Sequence, residues 1–306
     1  VHAYHGSCSS SANLQTLQGT SAGDRFGIAV ALRGEHLYIG APKAAGRAAT
    51  TTGRVQLYDW NSSDSQWRPQ GFLAPPEGGS ADDFGSALAI GEAHLLVGAK
   101  GTTVGGFSSA GVAYLYYQHP DNLMEFSLRA RLHADTPAAS GGFASGLAFA
   151  DRQGHLAIVA TGPGGTQNKG SAHLFGQSDP RVLPYLGEQA GSLLAHALAA
   201  GPVSDAGGDD LFIASPGARD TGGDAGAVLG LRATKPTPAD TLHVLRARSG
   251  DYNVVIWGKA DEGFGNSLAV GPVDDSHRSE LLIGAPLRKS GGAVYLLSGL
   301  RTHLVE

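Results

Sequence analysis

An all-β fold assembled from repeated four-stranded units is what this sequence predicts, and three observations predict it. One phrase of apolar residues and glycine recurs five times along the 306 residues. The runs that follow each copy are short and rich in Val, Ile, Leu and aromatics, as strands require. The 46 glycines and 15 prolines fall between those runs rather than in one tract, which favours many turns over disorder or collagen. With 42% apolar and 16% charged residues the chain can bury a sizeable core.

The first two strands of each unit are defined by the phrase itself. Phe26-Gly27-Ile28-Ala29-Val30-Ala31-Leu32 leads through a turn to His36-Leu37-Tyr38-Ile39-Gly40-Ala41-Pro42. The pattern returns at Phe84-Gly85-Ser86-Ala87-Leu88-Ala89-Ile90 with His94-Leu95-Leu96-Val97-Gly98-Ala99, and at Phe264-Gly265-Asn266-Ser267-Leu268-Ala269-Val270 with Leu281-Leu282-Ile283-Gly284-Ala285-Pro286. Two worn copies start at Phe143 and Leu194, so the intervals between copies are 58, 59, 51 and 70 residues. A third strand opens on glycine, at Gly53, Gly111, Gly226 and Gly292, and a fourth follows at residues 67–73, 126–132 and 252–257. Four strands in about sixty residues is the arithmetic of a β-propeller blade.

The ring is expected to close through its ends. Three strands follow Phe264, and Leu14-Gln15-Thr16-Leu17 stands where a fourth would precede the first copy. Residues 14–17 are therefore expected to pair with Ala293 to Leu297, because an open ring leaves a blade edge unpaired. Residues 1–13 then form a flexible tail, and 14–306 a single propeller domain of five four-stranded blades.

Phe26-Gly27 with Gly40-Ala41-Pro42, Phe264-Gly265 with Gly284-Ala285-Pro286, and the acidic approaches Asp24-Arg25 and Asp82-Asp83 resemble the FG-GAP repeats of integrin α-subunit amino-terminal propellers and their bacterial and protist relatives. The resemblance runs from about Leu14 to Leu300. It implies an extracellular or cell-surface adhesion or assembly module that binds protein or glycan through its loops. Such propellers usually have seven blades, so part of a seven-bladed ring is the alternative to a five-bladed one.

Charge and motifs narrow the chemistry. A net charge of −5 supplies no global field for a phosphate backbone, which argues against nucleic acid, and no run of about 18 apolar residues exists to span a membrane. The amino terminus shows no basic and then apolar signal region. Cys8 is the only cysteine and cannot form an internal disulfide; its Gly-Ser-Cys-Ser setting resembles a lipoprotein start only loosely. Asn61-Ser62-Ser63 is a glycosylation sequon if the protein is secreted.

The resemblance also implies calcium in the hairpins between first and second strands, yet three of these, before His36, His94 and His155, are too short to wrap an ion. The two longer hairpins place Pro202 and Pro272 at the first ligand position. Ser204 with Asp210, or Asp274 with Ser276 and Glu280, retain oxygens for a weak calcium ion only, so no cofactor is expected. His36, His94 and His155 recur in register, but blade symmetry separates them, and they are expected as turn residues rather than metal ligands.

The chain carries no Gly-x-Ser-x-Gly, no His-Glu-x-x-His and no phosphate-cradling loop, and its first strands are poor in acids, so no catalytic residue is expected. A sugar-binding propeller, or less favourably a glycosidase with paired carboxylates, stands as the alternative. The candidate ligand contacts are the cations of the loops joining second to third strands: Lys43, Arg47, Lys100, Lys169, Arg219, Arg288 and Lys289. Asp24, Glu77, Asp82, Asp83, Asp135, Glu188, Asp261 and Glu262, in the loops between units, are expected to share that face.

Overall fold

The structure is a computed structural model that describes residues 2–3, 15–45, 53–76, 82–119, 122–152, 155–162, 170–176, 182–186, 193, 196–203, 208–220, 223–231, 254–259, 261–271, 279–288 and 291–297. Every regular element among them is a strand. The chain divides into two compact units, one of residues 1–133 and 137–145, the other of 134–136 and 146–306.

The first unit opens with β1 (His2–Ala3) and β2 (Gln15–Thr16), which pair with each other. Two four-stranded antiparallel meanders follow. The first comprises β3 (Val30–Arg33), β4 (His36–Ala41), β5 (Arg54–Asn61) and β6 (Gln66–Leu73); the second comprises β7 (Phe84–Ile90), β8 (His94–Ala99), β9 (Val112–His119) and β10 (Asn122–Leu132). The second strands read as unbroken apolar runs because both of their faces are covered. Along β4, Tyr38 joins a core cluster with Val55, Phe84, Leu95 and Val97. Its neighbours Leu37 and Ile39 point to the other face and pack with Leu17, Tyr58 and Trp67.

The second unit repeats the scheme. The meander β11 (Leu147–Arg152), β12 (His155–Gly162), β13 (Ser171–Gly176), β14 (Val182–Leu186) is followed by β15 (Leu198–Gly201) and β16 (Asp210–Ser215). A short ribbon, β17 (Arg219–Asp220) and β18 (Gly223–Asp224), interrupts before β19 (Ala227–Leu231) and β20 (Val254–Trp257) complete that sheet. Among the described residues the last sheet has three strands, β21 (Ser267–Gly271), β22 (Glu280–Ala285) and β23 (Ala293–Leu297). Phe212, Val228, Phe264, Leu281 and Ile283 form one core cluster between the fourth and fifth sheets.

The first and second sheets, and the fourth and fifth, meet backbone against backbone, and the recurrent glycines are the reason. A Cβ on Gly40 of β4 would overlap the Gly85 carbonyl at the start of β7, and one on Gly98 of β8 would overlap the Ala144 carbonyl. The glycine opening each third strand does the same against the next aromatic anchor: Gly53 against Phe84, Gly111 against Phe143, Gly226 against Phe264. These three hold φ of 83°, 91° and 72°, which a side chain disfavours. Gly53 and Phe84 even form a parallel bridge.

The expected closure is corrected at one point. Gln15–Thr16 pairs with His2–Ala3, inside the stretch expected as a tail, and among the described residues Ala293–Leu297 pairs with β22 alone. The Gln15 side chain grips the Trp67 main chain in both directions, accepting from its N–H at 2.7 Å and donating to its carbonyl at 3.1 Å, and Leu17 is buried on the same sheet. The hydrophobic contact with β6 and the glutamine clamp therefore fix this segment to the first sheet.

Candidate functional site

Among the described residues, three of the loops between second and third strands share one construction. Each turns on the Gly-Ala-Pro position, where the N–H of Ala44 donates to Ala41, that of Thr102 to Ala99 and that of Ala218 to Ser215. The glycine of the third strand then donates to the last turn residue: Gly53 to Ala44, Gly111 to Thr102, Gly226 to Ala218. A further main-chain bond ties the turn to the approach of its own unit, from Lys43 to the Asp24 carbonyl, Gly101 to Asp82 and Leu287 to Glu262, at 3.0–3.1 Å. Candidate ligand residues on these turns therefore stand on a fixed frame.

Of the acidic approaches expected to share the face of those cations, Asp24, Asp82 and Glu262 are buried, and Asp83 and Glu262 lie against Lys43 and Arg288. Main-chain donors explain the burial of Asp24, whose carboxylate accepts from the N–H groups of Thr20, Ser21 and Phe26. Glu262 accepts from the Tyr295 hydroxyl, a bond that holds the phenol above its ordinary pKa. Asp135 and Asp261 are exposed. Glu77 and Glu188 lie outside the described residues.

Of the candidate cations, Lys43 is ion-paired with Asp83, which precedes β7, and so links the first sheet to the second. Arg288 lies 3.7 Å from Glu262 and stacks over the Tyr295 ring at 5.7 Å. Lys100 is exposed within its turn, and Arg219 is exposed on β17, where Asp224 is its cross-strand partner. Arg47, Lys169 and Lys289 lie outside the described residues. The structure thus places Lys43 and Lys100 in equivalent turns of neighbouring sheets but commits Lys43 to a carboxylate.

Among the described residues no group of three His, Cys, Asp or Glu side chains could hold an ion. Asp210 and Glu280 open the second strands of the fourth and fifth sheets and are buried there, while Ser204, Asp274 and Ser276 lie outside the described residues. The His36 Nδ1 lies 2.6 Å from Asp59 Oδ1, and His94 packs edge-on to Tyr117 at 5.7 Å. Burial, and then the charge of Arg129, lower the His94 pKa. The side chain of His155 is outside the described residues.

At the opposite end of the first unit's sheets lies a feature that sequence reasoning missed. The β3–β4 and β7–β8 turns and the end of β9 enclose a cavity of about 560 Å³, lined by Arg33, Glu35, His36, Tyr38, Glu92 and Tyr117 together with Gly34, Ala93 and Gln118. Arg33 Nη1 donates to the Gly91 carbonyl at 2.8 Å and braces one turn against the other. Tyr38 and Gln118 are buried, and the Gln118 amide donates to the Tyr38 hydroxyl at 2.8 Å. Burial pushes the Tyr38 pKa up to about 12, so this hydroxyl keeps its proton. The only signal in the sequence was the shared register of His36 and His94, which marks equivalent turns without showing that a cavity opens between them. No protein-family model matches the chain, and no curated protein matches it.

Proposed function

We propose that the chain is a β-propeller of the FG-GAP kind, its five larger sheets serving as five blades, and that it works as a non-enzymatic binding or assembly module outside the cell or at its surface. The repeated seam carries the proposal: a Gly-Ala-Pro turn, a third-strand glycine and the next aromatic anchor meet main chain to main chain at Gly53–Phe84, Gly111–Phe143 and Gly226–Phe264. A seam of this kind stacks meanders in chain order, which is how blades succeed one another. Fold does not by itself carry function. The binding role rests on the fixed turns and on the cations Lys100 and Arg219 that they hold at the surface.

Two measurements test this. Electron-microscopy class averages of the purified chain should show five lobes around a centre, and seven lobes or an open arc would refute the five-bladed ring. On an array of immobilised extracellular proteins and glycans the chain should be captured, with weaker capture as salt rises and in the double variant Lys100→Glu, Arg219→Glu. No capture at all, or turnover of chromogenic glycosides, would refute the binding role.

A further inference from the structure

The cavity between the β3–β4 and β7–β8 turns belongs to the end of the sheets away from the cationic turns, and three properties make it a built site. Its volume of about 560 Å³ lies within the range of roughly 300–1,000 Å³ typical of small-molecule pockets. Its frame is fixed by main-chain and side-chain bonds: Arg33 to the Gly91 carbonyl, the Gln118 N–H to the Ala93 carbonyl and the Trp60 N–H to the Glu35 carbonyl. Its floor carries the hydrogen-bonded pair Tyr38 and Gln118, both buried.

We propose that this cavity binds a neutral saccharide residue. The lining mixes donors and acceptors around one opening. Arg33 has guanidinium N–H groups beyond the one given to Gly91, while the Tyr38 hydroxyl beneath them is buried and engaged by Gln118. The carboxylates of Glu35 and Glu92 only accept, and His36 has its Nδ1 engaged with Asp59, which leaves its Nε2. A sugar hydroxyl both donates and accepts and suits such a set. An anion would face two carboxylates, and a polycation would face Arg33. Tyr117 completes the wall with apolar ring surface, and its ring is held by Arg129 at 4.7 Å and His94 at 5.7 Å. A braced aromatic beside fixed polar groups is suited to a ligand with an apolar C–H face and a polar rim.

The test is saturation-transfer NMR on the full chain with a panel of methyl glycosides of glucose, galactose, mannose, fucose and N-acetylglucosamine, run beside citrate and spermidine. At least one glycoside should show transfer, and Glu35→Gln with Glu92→Gln should weaken it by about tenfold, the size of a lost hydrogen bond to a charged group. Both sites are exposed, so this variant keeps its fold, which circular dichroism checks. The variant Lys100→Glu, Arg219→Glu should retain full glycoside transfer, so that failure of the turn-end binding role and failure of this site are read separately. Transfer to no glycoside, transfer unchanged in the glutamine variant, or stronger transfer to citrate or spermidine would overturn the proposal.

Discussion

Gly40 lies in a buried strand with nothing unusual in its own dihedral angles, yet a single methyl group there would strike the Gly85 carbonyl. Gly40→Ala should cost more than about 3 kcal/mol, because the obstacle is main chain that cannot rotate aside. Gly271 of β21 is the control: no described residue lies within contact of its Cβ position, and Gly271→Ala should be neutral or stabilise by up to about 1 kcal/mol. Denaturant midpoints of the two variants decide the matter, and equal midpoints would show that the close approach is not a constraint. His173 supplies a second residue-scale test. It is buried on β13, and burial, partly opposed by Asp135, pushes its pKa down to about 4. Between its unfolded value near 6.5 and that value the unfolded chain binds the extra proton, so stability should be complete above about pH 6.5 and fall as pH drops toward 4. The loss has a ceiling of about 3 kcal/mol, and His173→Gln should flatten the stability profile in that window.

At the scale of the element, the third-strand glycines combine a close approach with a left-handed backbone, and the two costs can be separated. Gly34, in the β3–β4 turn, has φ of 55° and open space around its Cβ position, whereas Gly111 has φ of 91° and the Phe143 main chain against it. Gly34→Ala should cost about 1–2 kcal/mol and Gly111→Ala clearly more, read as a larger drop in urea midpoint. Most strands were legible in the sequence because burial on two faces leaves a run with no polar alternation, as in Leu37-Tyr38-Ile39 and Leu211-Phe212-Ile213. The β17–β18 ribbon was not, since two residues per strand carry no period. The pairing of β2 was not either, because Gln15 is held by a side-chain clamp to Trp67 that lies 52 residues away. The candidate cations were legible as residues but not in their commitments. Lys43 meets Asp83 only because the approach to β7 folds against the turn that follows β4.

For the molecule as a whole, the amino-terminal segment is the part whose role changes between sequence and structure. Removing residues 1–18 takes away the buried Leu17 and both Gln15 bonds, and should lower stability by about 2–4 kcal/mol, a shift of several degrees in Tm. The double variant Gln15→Ala, Leu17→Ala in the full chain should reproduce most of that loss; a deletion with unchanged Tm would remove the segment from the fold's support. A chelator should leave Tm within about 2 °C, since ligand removal destabilises only where a site is occupied. A larger drop would locate calcium in the hairpins at 202–210 or 272–280. The seam between sheets has a different kind of consequence. Peptide groups, not side chains, meet at Gly53–Phe84, Gly111–Phe143 and Gly226–Phe264, so the fit takes little account of what the outer strands carry. One sheet bears Gln-Trp-Arg-Pro-Gln-Gly-Phe-Leu at its rim and its neighbour Asn-Leu-Met-Glu-Phe-Ser-Leu-Arg-Ala-Arg-Leu, on the same joint. A standard coupling with free exteriors makes a repeat interchangeable: a duplicated or transplanted unit would dock without renegotiating its neighbours, and its rim could drift toward new partners while the joint stays as it was.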